Sequence, residues 1–91
     1  MTTVRLGPRR LVFREGTTAD SLYNVTSGVV KIYKSTPDGR RQVTGFLFPG
    51  DFLGFVQRQS YAYSAVTLTK TELCRFKRSE LEQLIEELPQ L

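Results

Sequence analysis

Ser21-Leu22-Tyr23-Asn24-Val25-Thr26-Ser27-Gly28-Val29-Val30-Lys31-Ile32-Tyr33-Lys34 reads as two β-strands with one glycine between them. Valine, isoleucine, threonine and tyrosine fill both halves, and such residues suit a pleated, half-buried surface. Gly28 punctuates the run where the chain must turn. The punctuation continues in both directions, with Gly16, Gly28, Gly39 and Gly50 at spacings of 12, 11 and 11. That regularity predicts short strands at Arg10 to Phe13, Ser21 to Thr26, Val29 to Lys34 and Gln42 to Phe48. Pro37-Asp38-Gly39 should close a hairpin between the third and fourth of these: proline presets φ, the aspartate bonds nearby backbone, and glycine accepts a positive φ. Pro49-Gly50-Asp51 repeats the logic. Further strands are expected at Ala62 to Leu68 and Thr71 to Phe76, the second with Cys74 and Phe76 on one face and Leu73 and Arg75 on the other.

From Ser79 the hydrophobic period changes. Leu81, Leu84, Ile85 and Leu88 fall at i, i+3, i+4 and i+7, the signature of an amphipathic helix, and Ser79-Glu80-Leu81-Glu82 reads as its capping box. Pro89 should stop the helix at about Leu88. About seven strands and one helix imply a mainly β fold, a β-roll or barrel with the helix packed on it. Residues 1–91 are expected to form one domain, with the roll at about 10–76 and the helix at about 79–88. No internal repeat, linker or low-complexity tract interrupts it.

Composition bounds the chemistry. Ninety-one residues, 40% of them hydrophobic, support one modest core. No apolar run approaches the roughly 20 residues that cross a bilayer, and Met1-Thr2-Thr3-Val4-Arg5 lacks a signal-peptide core, so a cytoplasmic chain with no membrane role is expected. The net charge of +4 conceals a division, because four of the nine acidic residues (Glu80, Glu82, Glu86, Glu87) lie beyond residue 78 and all 13 basic ones lie within residues 1–78. Those basic residues are scattered along strands, so a solvated basic face is favoured over a direct nucleic-acid site. With no histidine, Ser-His-Asp and Cys-His mechanisms and histidine-based metal sites are excluded. Glu15, Asp20, Asp38, Asp51 and Glu72 remain as carboxylates, and turn-forming roles suit them better than acid/base work. The chain is not expected to be an enzyme.

Ser21 to Lys34, then Pro37-Asp38-Gly39-Arg40-Arg41-Gln42-Val43-Thr44-Gly45-Phe46 and Pro49-Gly50-Asp51-Phe52-Leu53-Gly54-Phe55, resemble the cyclic-nucleotide-binding-type domain of the Crp/Fnr superfamily. The likeness is greater to the Fnr/FixK branch than to the cAMP-binding Crp branch, and it spans about Leu11 to Leu91. It implies a double-stranded β-helix, or jelly-roll-like β-roll, serving as the sensor domain of a transcription regulator. In such regulators a dimerisation helix and a DNA-reading helix-turn-helix follow, and both are expected to lie outside this chain. The parent is expected to be a homodimer that binds DNA and RNA polymerase, while the fragment itself has no direct nucleic-acid contact.

The resemblance also implies where ligands would sit. Nucleotide-binding members carry Gly-Glu-Leu for the ribose and Arg-Ser-Ala for the phosphate; the corresponding positions here read Gly54-Phe55-Val56 and Tyr63-Ser64-Ala65. Losing two charged hydrogen bonds costs about 3–6 kcal/mol, roughly 100- to 10,000-fold in affinity, so cAMP binding is not expected. The alternative is a genuine cyclic-nucleotide-binding module. Gly54, Phe55, Arg58, Tyr63, Ser64 and Ala65 are the pocket candidates, with Arg58 the one charged residue near enough to substitute. Phe55, Tyr61 and Tyr63 are expected to fill the vacated space, in preference to an unknown apolar effector. Cys74 falls where Fnr-type regulators place one of four 4Fe-4S ligands. One thiolate cannot hold a cluster, so no cofactor is expected in this chain, a cluster belongs only to an intact parent, and a core role for Cys74 is favoured here. Asp38, Arg40 and Arg41 are candidates for contact with RNA polymerase, against a merely solvated turn.

Overall fold

The computed structural model describes residues 1–54 and 59–87. Eight strands precede one helix: β1 Thr2–Leu6, β2 Leu11–Phe13, β3 Ser21–Ser27, β4 Val30–Ser35, β5 Arg41–Leu47, β6 Phe52–Leu53, β7 Ser64–Thr67, β8 Thr71–Lys77 and α1 Arg78–Glu87. They form two antiparallel four-stranded sheets, ordered β1-β8-β3-β6 and β2-β7-β4-β5. The mainly β roll with a C-terminal helix is therefore the architecture observed.

Alternation fixes the inner faces. In β3, Ser21, Tyr23 and Val25 are buried; in β8, Thr71 and Leu73 are. The opposite sheet supplies Phe13, Val30, Ala65 and Thr67. Val25, Val30, Leu53 and Leu73 are 0–1% exposed, and each fully buried aliphatic side chain contributes about 1.5–3 kcal/mol. Val4, Leu6, Ile32 and Leu47 pack around this centre.

The β4–β5 hairpin forms where Pro37-Asp38-Gly39 placed it, pairing Val30 with Leu47 and Ser35 with Arg41. Its register shifts between Ile32 and Tyr33, so Thr44 has no paired residue on β4 and instead donates its hydroxyl to the Ile32 carbonyl at 3.4 Å. Gly28 turns the chain at φ 87°, and a Cβ there would stand 2.5 Å from the Lys70 carbonyl oxygen, so no other residue fits without backbone movement.

Apart from one-residue shifts at the strand ends, four features differ from the sequence reading. The sheet begins at Thr2, because Val4 pairs with Leu73 and packs inward with Leu6; the roll does not start near residue 10. The two-residue strand β6 exists through its pairing of Leu53 with Tyr23. The expected strand from Ala62 is shorter and starts at Ser64. Finally, β8 runs into α1 at Arg78 with no intervening residue. Ser79 thus lies inside the first turn, where it is not the cap of the expected capping box. Arg78 anchors the turn, donating from its backbone N–H to the Asp20 carbonyl at 2.8 Å and from Nη1 to the Ala19 carbonyl at 3.3 Å. The expected helix end at Leu88 lies outside the described residues.

Candidate functional site

One edge of β3 faces β8, and the other lacks a full partner. On that second edge Val25 exchanges hydrogen bonds with Asp51 and Gly50, and Tyr23 pairs with Leu53 of β6. β6 then ends, and the backbone of Ser21, 7% exposed, needs other partners. The Tyr61 hydroxyl supplies both: it donates to the Ser21 carbonyl at 2.8 Å and accepts from the Ser21 N–H at 3.2 Å. A side chain 40 residues away thus extends the ladder by one rung.

The ring below that hydroxyl closes the interior. Tyr61 stacks on Phe13 with centroids 3.9 Å apart and planes 11° apart, while Tyr23 and Tyr63 flank Phe13 at 6.0 and 5.4 Å. Burial pushes the Tyr61 phenol from 10.0 up to about 12. Burial also raises Tyr23, against the opposing charge of Arg75. Tyr63 is half-buried and accepts the Gly54 N–H on its hydroxyl at 2.8 Å. Gly54 has φ +89°, and a Cβ there would lie 2.9 Å from the Ser21 carbonyl and 3.2 Å from the Tyr61 ring. Gly54, Tyr61 and Tyr63 are therefore one packed unit against Phe13.

Two further pocket candidates, Ser64 and Ala65, face opposite sides of β7. Ala65 is fully buried opposite Phe13 and Ile32. Ser64 points to the other face of β7, where its Oγ accepts the Glu15 N–H at 2.9 Å beneath the loop that follows β2. This opposite placement of neighbouring residues is what strand alternation requires. Phe55 and Arg58 lie outside the described residues. Phe13 and Tyr23 were absent from the candidates, since only the three-dimensional pairing places them beside Tyr61.

These observations meet the comparisons with known proteins. Residues 3–88 match the family model described as the cyclic nucleotide-binding domain. The chain belongs to that family. Within this cyclic nucleotide-binding domain family its likeness is to Crp/Fnr regulators. It is 42% identical over 88 residues to the transcriptional activatory protein AadR of Rhodopseudomonas palustris, covering 97% of this chain and 37% of AadR. It is 44% identical over 80 residues to the nitrogen fixation regulation protein FixK of Bradyrhizobium diazoefficiens, covering 88% of this chain and 34% of FixK. The solved structure of FixK2 from Bradyrhizobium japonicum superposes with a TM-score of 0.87 at 32% identity, over 93% of this chain and 43% of FixK2. The chain therefore spans about a third of the curated relatives' length, the part that forms their sensor portion.

In this cyclic nucleotide-binding-type domain Cys74 departs from its expected place. It pairs across strands with Asn24 and Thr3 on the outer face of β8 and is half-buried, whereas Leu73 and Arg75 face inward. The core reading of Cys74 is thus corrected. Among the described residues no three Cys, His, Asp or Glu side chains cluster as metal ligands, and one thiol on an outer face does not fit a four-ligand cluster.

The hairpin tip separates its three candidates. Asp38 accepts from the Thr36 hydroxyl and the Arg40 N–H, and its carboxylate lies 3.5 Å from Arg40 Nε. The Thr36 hydrogen bond, more than that of Arg40, lowers the Asp38 pKa below 3.8. Arg41 is not part of this group: its guanidinium lies 4.9 Å from the centroid of the Tyr33 ring. Among the described residues no helix is long and apolar enough to cross a membrane.

Proposed function

We propose that the chain is the sensor domain of a cytoplasmic Crp/Fnr-type transcription regulator, not an enzyme, and that its roll holds an aromatic plug in place of a cyclic nucleotide. The observation that carries this is the stack of Tyr61 on Phe13, with its hydroxyl on Ser21 and Tyr63 alongside. A nucleotide entering there must displace two buried rings and leave the Ser21 backbone unpaired, and the Gly54-Phe55-Val56 and Tyr63-Ser64-Ala65 stretches offer no charge in return. The parent regulator would be a homodimer on DNA that contacts RNA polymerase through the exposed hairpin tip. The effector would act by biasing a two-state rearrangement passed to the segment after α1. A 4Fe-4S cluster would need ligands beyond this chain.

Isothermal titration with cAMP and with cGMP tests the reading. No heat of binding up to about 1 mM nucleotide is expected, a ceiling near −4 kcal/mol. Micromolar binding of either nucleotide would replace this reading with that of a genuine cyclic-nucleotide-binding module.

A further inference from the structure

The helix α1 continues directly from β8, on the β1-β8-β3-β6 sheet. The outer face of the other sheet combines apolar and basic side chains. Strand pairing aligns Leu11, Val66, Lys31 and Phe46 in one row across it, with Ser64, Tyr33 and Val43 in the next. Leu11, Val43, Phe46 and Leu68 remain 38–49% exposed. Apolar side chains gathered on one face, with polar groups at the rim, mark interaction surfaces.

Two adjoining open grooves of about 170 and 430 Å³ run over this face and share Tyr33 and Arg41. Their cations are Arg9, Arg14, Lys31 and Arg41, and the one carboxylate among their lining residues, Glu15, already accepts the Ser35 N–H at 3.0 Å. Arg41 lies on the Tyr33 ring and is pre-organised there.

We propose that this face docks an acidic, amphipathic segment of a partner protein. Such a segment satisfies both properties at once: its carboxylates meet the arginines and Lys31, and its apolar side chains cover Val43, Phe46 and Leu68. Nucleic acid would neutralise the cations but leave those apolar side chains uncovered. A small anion would leave most of the open groove empty.

The probe is a fluorescein-labelled peptide of about 15 residues, glutamates on one helical face and leucine with phenylalanine on the other, titrated with the chain and followed by anisotropy. Binding in the range of tens of micromolar is expected, at least about tenfold weaker for Lys31→Glu and for Phe46→Ser and weaker in high salt. Thermal melts confirm that both variants fold, their sites being on the surface. Four results would each overturn the proposal. One is no binding at about 1 mM chain. Another is equal binding of a polyglutamate peptide, which would make the face merely electrostatic. A third is mixed-sequence duplex DNA bound in preference to the peptide and released by Lys31→Glu. The last is a dimer of the unliganded chain in sedimentation that Phe46→Ser dissolves, which would assign the face to a second copy.

Discussion

Replacing Tyr61 by phenylalanine keeps the ring on Phe13 and removes one hydroxyl. That hydroxyl is the partner of both the Ser21 carbonyl, at 2.8 Å, and the Ser21 N–H, at 3.2 Å. Ser21 is 7% exposed and sits at the end of β3 beyond the reach of β6, so water does not readily replace it. A buried backbone group left unpaired costs about 1–3 kcal/mol. The two groups share one donor-acceptor atom and one bond is long, so the expected loss is about 2 kcal/mol. For a domain of this size that lowers Tm by roughly 8–16 °C. Differential scanning calorimetry at pH 7 reads it directly. A pH arm strengthens the test. The phenol of the folded chain titrates at about 12, against 10.0 ordinarily. The unfolded chain therefore loses this proton first, and the stability tied to the neutral phenol is complete below pH 10 and disappears as pH rises towards 12. Tyr61→Phe should show a shallower alkaline decline than the parent, with the remainder due to Tyr23, which is raised in the same direction. A Tm within about 1 °C of the parent would refute the extended-ladder reasoning.

Two other outcomes follow from geometry. On β8, Leu73→Ala should cost about 2–5 kcal/mol in chemical denaturation because it empties a core site, whereas Cys74→Ser on the neighbouring outer position should cost less than about 1 kcal/mol; equal losses would restore the core reading of the cysteine. In a full-length regulator carrying this domain, reversing charge at Asp38 and Arg40 together should lower transcription activation while leaving operator binding unchanged, and unaltered activation would make the tip a solvated turn.

Much of the fold was legible because it is written locally. The hairpin was readable from Pro37-Asp38-Gly39, and the middle strands from the runs of valine, isoleucine and tyrosine around Gly28. β1 was not, because Thr2-Thr3-Val4-Arg5-Leu6 alternates over only two inward positions and gains its meaning from β8, about 70 residues later. β6 has two residues and no period at all. Alternation also separated Leu73 from Cys74 without saying which side was the interior. The neighbouring Phe76 suggested one answer, and the pairing of Cys74 with Thr3 and Asn24 gave the other. The candidate site was legible as a list of aromatic residues but not as an assembly. The stack of Phe13 on Tyr61 joins positions 48 apart, and Ser64 left the group because its neighbour Ala65 took the inward position.

The junction at Lys77 and Arg78 makes strand and helix one mechanical piece. β8 is gripped along both sides by β1 and β3, and the next residue already belongs to α1, bonded back to the Ala19 and Asp20 carbonyls. No linker residue separates the strand from the helix. A helix that tilts there must strain the pairing of the strand it grows from or break its tether to the loop before β3.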